Sequence, residues 1–414
     1  MMSEQEKQRL ATKIVATLAL FVFPSVMISV AVPQVFAKRT DQAAVYIAMA
    51  LGGTCGSLVG GVLARRGAML SVLRHAISAA SVSFLLLACA SLNGPGLVLV
   101  FFAYTAITAA GVAGLTLLPL LRPAAPRHTL SLSLASSALA GVVFPIVASG
   151  ILSSCASHGV PIERAFSLGL LLTSIAFFFA RLLLSGEQVD SISPVAAPSF
   201  RLSRAEWKLA GVAGALGALH AATDTTLSNW SMLHFTTSFN APSFPPALIL
   251  SGCAIAYFVT RLGLAFVPEQ RGGRWLLIAP GVAGAGLLWL SFSQHAFVSA
   301  AWTYVLAAAF YGLEYPVLLG CVARLSPRCM GPVIAISTVS AYVLGALANL
   351  ILGAVASHYD SARAAIALLP FGFLAFSLLA LVAFPAQVCE SRSREVNSCE
   401  TELIPATANA LMVE

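Results

Sequence analysis

The sequence predicts an all-α membrane protein, with twelve transmembrane helices in two pseudo-symmetric six-helix bundles. Three observations carry that prediction. The chain of 414 residues is 58% hydrophobic and only 9% charged, with a mean hydropathy of +0.89, whereas soluble domains carry about a quarter charged residues. Apolar runs of about 20 residues, long enough to cross a bilayer, recur from end to end. The basic residues concentrate in alternate loops, as the positive-inside rule requires.

In chain order, the polar start from Met1 to Lys13 is followed by an apolar run too long for the core of a cleavable signal peptide. The first six runs are Thr12 to Phe36, Ala43 to Leu63, Leu70 to Leu92, Gly96 to Leu121, Thr129 to Leu152 and Glu163 to Leu184. Pro24, Ser25, Ser29 and Pro33 soften the first of them, which suits a cavity-lining helix. The polar stretch from Ser185 to Glu206 is the longest interruption and reads as a link between halves. The second set is Lys208 to Phe235, Phe244 to Val267, Trp275 to Ser293, Ala296 to Cys321, Gly331 to Ala354 and Ala362 to Phe384. The expected organisation is an N-terminal bundle over 12–184, a cytoplasmic linker over 185–207, a C-terminal bundle over 208–384 and a disordered cytoplasmic tail over 385–414.

Loop charge sets the expected orientation. With both termini in the cytoplasm, only Lys38, Arg39, Arg164 and Arg363 of the 23 Lys and Arg fall on the outer side. Arg261 falls inside a helix, and every other basic residue faces the cytoplasm. The net charge of +7 is therefore a membrane-topology signal and not a nucleic-acid footprint. The 8 cysteines form no CxxC pair and lie mostly in apolar runs, so they read as packing residues with no metal site.

The halves look like internal repeats. Arg122-Pro-Ala-Ala-Pro-Arg127 leads to Ser137-Ala138 and Gly141, and Arg324-Leu-Ser-Pro-Arg328 leads to Ser340-Ala341 and Gly345. The two pieces lie about 200 residues apart, the length of one half, and duplicated bundles place a substrate site at their interface near the membrane midplane.

From Thr12 to Phe384 the layout resembles the major facilitator superfamily. That family carries a Gly-x-Leu-Ala-Asp-Arg-x-Gly-Arg-Arg pattern between its second and third helices. The same place here reads Gly60-Gly61-Val62-Leu63-Ala64-Arg65-Arg66-Gly67-Ala68-Met69. Gly60, Arg65 and Gly67 keep the pattern and Arg66 follows, but Ala64 replaces the acid, and Ala68 and Met69 replace the final basic pair. The resemblance implies a conformational latch at this loop, and the acid of that latch is missing here. The matching loop of the second half, Pro268-Glu-Gln-Arg-Gly-Gly-Arg274, keeps both charges. Helix five, Gly141-Val-Val-Phe-Pro145-Ile-Val-Ala-Ser-Gly150, keeps one proline of the antiporter motif and loses its glycine pair. Asp224 with Trp230, and Tyr311-Gly312-Leu313-Glu314-Tyr315-Pro316, are similar to the fucose-permease branch.

Of the 16 acidic residues, only Asp224 and Glu314 lie well inside predicted helices. A carboxyl in hydrocarbon marks a functional site by default, and burial suits it to take and release a proton near neutral pH. The alternative is a structural contact. His220 sits one turn before Asp224, where it can relay a proton or serve only as a packed histidine. Arg261, at the depth of Glu314, can pair with that acid or bind an anionic substrate group. His234 reads as interfacial. Trp230, Asn229, Tyr311, Tyr315, Asn349, Tyr104 and Ser29 are the candidate cavity-lining residues, weighed against packing or an aromatic belt.

These features predict a secondary active transporter of a small organic solute, proton-coupled and working by alternating access. Its expected partners are that solute, protons and the lipid bilayer, with no cofactor and no nucleic acid, in a monomer of the bacterial inner membrane. The alternatives are proton-antiport efflux of a drug or of a metabolite such as a siderophore, and a non-transporting membrane sensor. An enzyme is not expected, because no H-E-x-x-H or G-x-S-x-G signature occurs and the loops are short.

Overall fold

The computed structural model describes residues 3–35, 39–64, 69–90, 94–186, 202–239, 244–269 and 274–384. The linker residues 187–201 and the tail 385–414 lie outside the described residues, as do Arg65, Arg66 and Gly67 and the side chain of Ser29. The described chain is all helical. The first seven helices are α1 (Glu4–Leu20), α2 (Val22–Val35), α3 (Arg39–Ala64), α4 (Met69–Cys89), α5 (Gly94–Leu121), α6 (Pro126–Ser157) and α7 (Ile162–Leu183). The remaining eight are α8 (Arg204–Ser238), α9 (Phe244–Ala265), α10 (Trp275–Ser293), α11 (Phe297–Tyr311), α12 (Glu314–Leu325), α13 (Met330–Tyr359), α14 (Ala362–Ile366) and α15 (Pro370–Ala383).

Eleven of the resulting segments are long and apolar enough to span a membrane, with α11 and α12 forming one span. The twelfth unit is α8, which at 35 residues has the length but carries His220, Asp224 and a run of hydroxyl side chains. Its polarity is the first sign that it does more than face lipid.

The helices begin before their apolar runs do. Ser3 and Glu6 cap α1 reciprocally: Glu6 Oε2 accepts from Ser3 N at 2.7 Å, and Ser3 Oγ accepts from Glu6 N. Ser203 and Glu206 build the same capping box on α8, at 2.8 Å. Each box satisfies two backbone donors that a helix start leaves open. Glu206 also accepts from Ser326 Oγ, tying α8 to the turn before α13. Its carboxyl is held below the usual range, first by the Ser203 backbone bond.

Prolines place the breaks. Pro24 has no N–H for the Leu20 carbonyl, and α1 ends at Leu20. The bend thus falls at Phe21, one turn before the proline. Pro316 likewise leaves the Gly312 carbonyl without its helical donor, and the chain breaks at Gly312–Leu313 between α11 and α12. Pro119, Pro145 and Pro280 stay inside continuous helices.

One apolar core gathers residues from Leu10 to Leu184, centred on Phe84, Leu118 and Phe177. Two others gather the second half, around Val317 and Met330 and around Tyr304 and Phe373. The halves meet along α3 against α13 and α6 against α9 and α12. Glycine permits this approach: a Cβ on Gly61 would lie 2.8 Å from the Ala335 Cβ across the seam. Gly60 serves packing within the first half, where its Cβ would meet Ala109 at 3.0 Å.

Among the described residues, the seam is buried at one end and exposed at the other. At the end where α1 begins, here termed proximal, the starts of α6 and α13 are buried, with Arg127 1% and Met330 0% exposed. Towards the distal end the same helices emerge, with Ile146 68% and Leu350 70% exposed. The proximal closure has its own polar clasp. Arg127 Nη2 donates to the carbonyls of Val267 at 2.8 Å and Pro268 at 2.5 Å, and His128 Nδ1 lies 2.8 Å from the Ala265 carbonyl. These are the loose carbonyls at the C-terminus of α9, where cations are favoured. In return Glu269 Oε1 accepts from His128 N at 3.0 Å, placing an anion on the N-terminus of α6. Arg324 Nη1 donates to the Glu269 carbonyl at 2.7 Å.

Candidate functional site

The polar residues of α8 meet partners on the broken helix pair α11–α12 and on α9. His220 Nδ1 lies 2.7 Å from Glu314 Oε2, with both side chains buried, at 4% and 0% exposure. Glu314 is the first residue after the break, so the break points its carboxyl inward to α8. The His220 ring stacks on Tyr315, with centroids 5.9 Å apart and an 8° interplanar angle. Phe373 and Phe376 of α15 meet its edges. Buried polar atoms are normally paired, yet Glu314 Oε1 has no hydrogen-bond partner among the described residues.

Gly281 of α10 makes room for this carboxyl. A Cβ there would collide with Glu314 Oε1 and Ser377 Oγ and come within 3.0 Å of the Phe373 carbonyl. Gly281→Ala is therefore expected to cost about 1–3 kcal/mol by overpacking. Denaturant unfolding in detergent measures it; an unchanged midpoint would show that the pocket yields.

Asp224 has a different neighbour. Its Oδ1 accepts a short hydrogen bond from the Tyr257 hydroxyl of α9. Arg261, one turn further along α9, lies over the Tyr257 ring, 4.6 Å from its centroid. The guanidinium donates from Nε to the Gly312 carbonyl at 3.1 Å and from Nη1 to the Leu134 carbonyl of α6 at 3.3 Å. Arg261 thus takes the carbonyl that Pro316 orphaned and reaches into the first half. Gly312 is needed here too, since a Cβ on it would strike the Tyr257 ring.

Three sequence expectations are corrected. The Arg261–Glu314 pair does not form, because His220 occupies Glu314 and carbonyls occupy Arg261. His220 turns to Glu314, not to Asp224, although the two share a helix face. His234 is not interfacial: it is 1% exposed and packed among Phe235, Phe239 and Phe292. Tyr257 was missed. Its signal is the i, i+4 spacing to Arg261, which mirrors that of His220 and Asp224.

The remaining candidates are spread more widely. Tyr311 is buried and stacks on Phe373 at 4.3 Å, and it meets Tyr257 edge-on. Trp230 Nε1 donates to Asn349 Oδ1 at 2.8 Å, which supplies a partner for this half-buried amide. Asn229 is exposed. In the first half, the Tyr104 hydroxyl donates to Ser25 Oγ at 3.2 Å. Among the described residues, no group of three or more His, Cys, Asp and Glu has the arrangement of a metal site.

Comparison with solved structures places this architecture in the fold of the major facilitator superfamily. The Escherichia coli fucose:proton symporter FucP matches with a TM-score of 0.75 at 11% identity, over 90% of this chain and 98% of its own. The proton:xylose symporter XylE matches at 0.71 and 12% identity, over 92% and 96%. The human organic anion transporter MFSD10 matches at 0.65 and 12% identity, over 90% and 99%. No protein-family model and no curated protein sequence matches the chain. At these identities the likeness shows the fold, so the function is argued from the site.

Proposed function

We propose that this chain is a secondary active transporter that moves a small organic solute by alternating access, coupled to protons. The observation that carries this reading is the placement of Glu314. A fully buried carboxyl at a helix break shares a hydrogen bond with a buried histidine, inside a bundle whose described residues bury the seam at one end and expose it at the other. Intramembrane acids of this kind mark ion and proton pathways, and broken helices at a repeat interface mark binding sites. The fold is shared with two proton-coupled sugar symporters and an organic anion transporter, which supports transport without naming the solute.

In this reading the proximal end is cytoplasmic, and the described state faces outward. Glu314 with His220 and Asp224 with Tyr257 exchange protons with the cycle, while the two bundles rock about the seam. Proteoliposomes with an imposed pH gradient test it, after a thermal-shift screen supplies a solute. Wild-type protein is expected to accumulate that solute along the gradient, and Asp224→Asn or Glu314→Gln to abolish accumulation while the protein still folds. Gradient-driven uptake that survives in both variants would overturn the proton assignment. Reversing the gradient separates uptake from export.

A further inference from the structure

Arg261 is placed unlike any other residue of the site. It is 9% exposed, and no ion pair within 4.0 Å among the described residues joins it to a carboxylate. Its two hydrogen bonds go to backbone carbonyls on opposite sides of the seam: Leu134 of the first half and Gly312 of the second. The same guanidinium lies over the ring whose hydroxyl holds Asp224. A chain of contacts therefore runs from Asp224 through Tyr257 and Arg261 to the first half. The carboxyl pocket has no other side-chain hydrogen bond to the first half among those described.

We propose that Arg261 is the clasp through which the proton on Asp224 sets the contact between the two bundles. The proposal rests on the proton-coupled reading above. With Asp224 protonated, the guanidinium has only carbonyls to bond, and it holds Leu134 against the second half. With Asp224 ionised, the carboxylate competes for the same N–H groups. A carboxylate adds ionic attraction and a bidentate fit to the guanidinium that a carbonyl does not offer, and Tyr257 and Arg261 share one face of α9. The guanidinium then swings to Asp224 and releases the Leu134 carbonyl. That carbonyl keeps its own helical donor, so release leaves no orphaned backbone group on α6.

The groups facing the switch are few. Asp224 faces Cys253, Tyr257 and Arg261 from α9, Tyr304 and Tyr311 from α11 and Glu314 from α12, with His220 on its own helix. Arg261 faces Tyr311, Tyr315 and His220 besides Asp224. From α6, the stretch around Leu134 brings hydroxyls and apolar side chains but no charge. Among these groups Arg261 is the lone permanent cation, so its choice of partner follows the charge on the acid beside it.

The test needs no solute. Spin labels at Ser157 and Tyr359, exposed at the distal ends of α6 and α13, report the distal opening in liposomes, in a background with the native cysteines replaced by Ala. The wild-type label distance is expected to shift between acidic and basic pH, long when Asp224 is protonated. Asp224→Asn is expected to hold the long distance at every pH, and Arg261→Met to give one distribution at every pH. If Arg261→Met does not fold, Arg261→Lys keeps the charge without the two-carbonyl fork. It is expected to move the titration midpoint by roughly one pH unit or more. A wild-type titration that Arg261→Met, or Arg261→Lys in its place, leaves unchanged overturns the clasp and leaves the transporter reading standing. A wild-type distance that never shifts with pH removes the proton-coupled reading and the clasp with it.

Discussion

Glu314→Ala is expected to destabilise the protein by several kcal/mol: about 1–3 kcal/mol for the buried imidazole left without its partner, with the cost of the cavity added to it. The alanine would leave His220 Nδ1 facing a cavity walled by Phe373, Phe376 and Ser377. Glu314→Gln should cost far less, about 1 kcal/mol, because the amide can still bond the imidazole. The two substitutions thus separate the structural role of the carboxyl from its proton. Denaturation in detergent reads the first, and gradient-driven flux reads the second.

A double-mutant cycle with His220→Gln sharpens this result. Residues in direct contact are expected to couple by about 0.5–3 kcal/mol. Coupling near zero would mean that the hydrogen bond to Oε2 does not hold the pair together. The same cycle between His220 and Asp224 should give a smaller value. They share a helix face, but each hydrogen-bonds a different helix. Coupling to Asp224 that exceeds coupling to Glu314 would return His220 to the relay role that its spacing suggests.

How much of this was legible depends on the distance scale of each feature. Membrane spans are local: apolar runs and loop charge revealed the helices because hydrocarbon thickness fixes their length. Their ends ran further than the runs, since the capping boxes at Ser3 and Ser203 lie among polar residues that hydropathy excludes. Glu314 and Asp224 stood out because an acid in an apolar run is costly wherever it points. Their partners did not stand out. Tyr257 reads as one more membrane aromatic until α9 packs on α8. Pro316 is visible in the sequence, but only the fold reveals that the carbonyl it orphans is taken by Arg261. His234 was misplaced because α8 continues to Ser238, and aromatic packing from α10 covers its last turns. Arg127 reads in the sequence as loop charge and as part of a repeat, and His128 does not stand out at all, because their acceptors lie about 140 residues away in sequence, beyond any local pattern.

That proximal cluster gives the second large effect. Arg127→Ala removes a cation that is 1% exposed and bonded to two carbonyls across the seam. Truncating one partner of a buried, hydrogen-bonded charge costs about 2–5 kcal/mol. Here much of that cost falls on the proximal-closed state alone, because opening the seam would let water reach the freed α9 carbonyls. A differential of about 3 kcal/mol is more than a hundredfold in a two-state population. Labels at Ser157 and Tyr359 are therefore expected to move closer together in Arg127→Ala as the proximal end opens and the distal end shuts. Glu269→Gln should act in the same direction more weakly, since its amide oxygen can still accept from His128 N. The first half offers the converse. In the repeat, Ala64-Arg65-Arg66-Gly67 stands where the second half has Glu269-Gln270-Arg271-Gly272, so the clasp has an acid on one side only. Gly61 already packs on Ala335, which brings the end of α3 to the start of α13. Ala64→Asp would restore an acid at this position of the repeat, in the half that lacks one. It is expected to lengthen the distal label distance and slow turnover. An unchanged distance in both Arg127→Ala and Ala64→Asp would mean that the seam is held by apolar packing, with the charges riding on it.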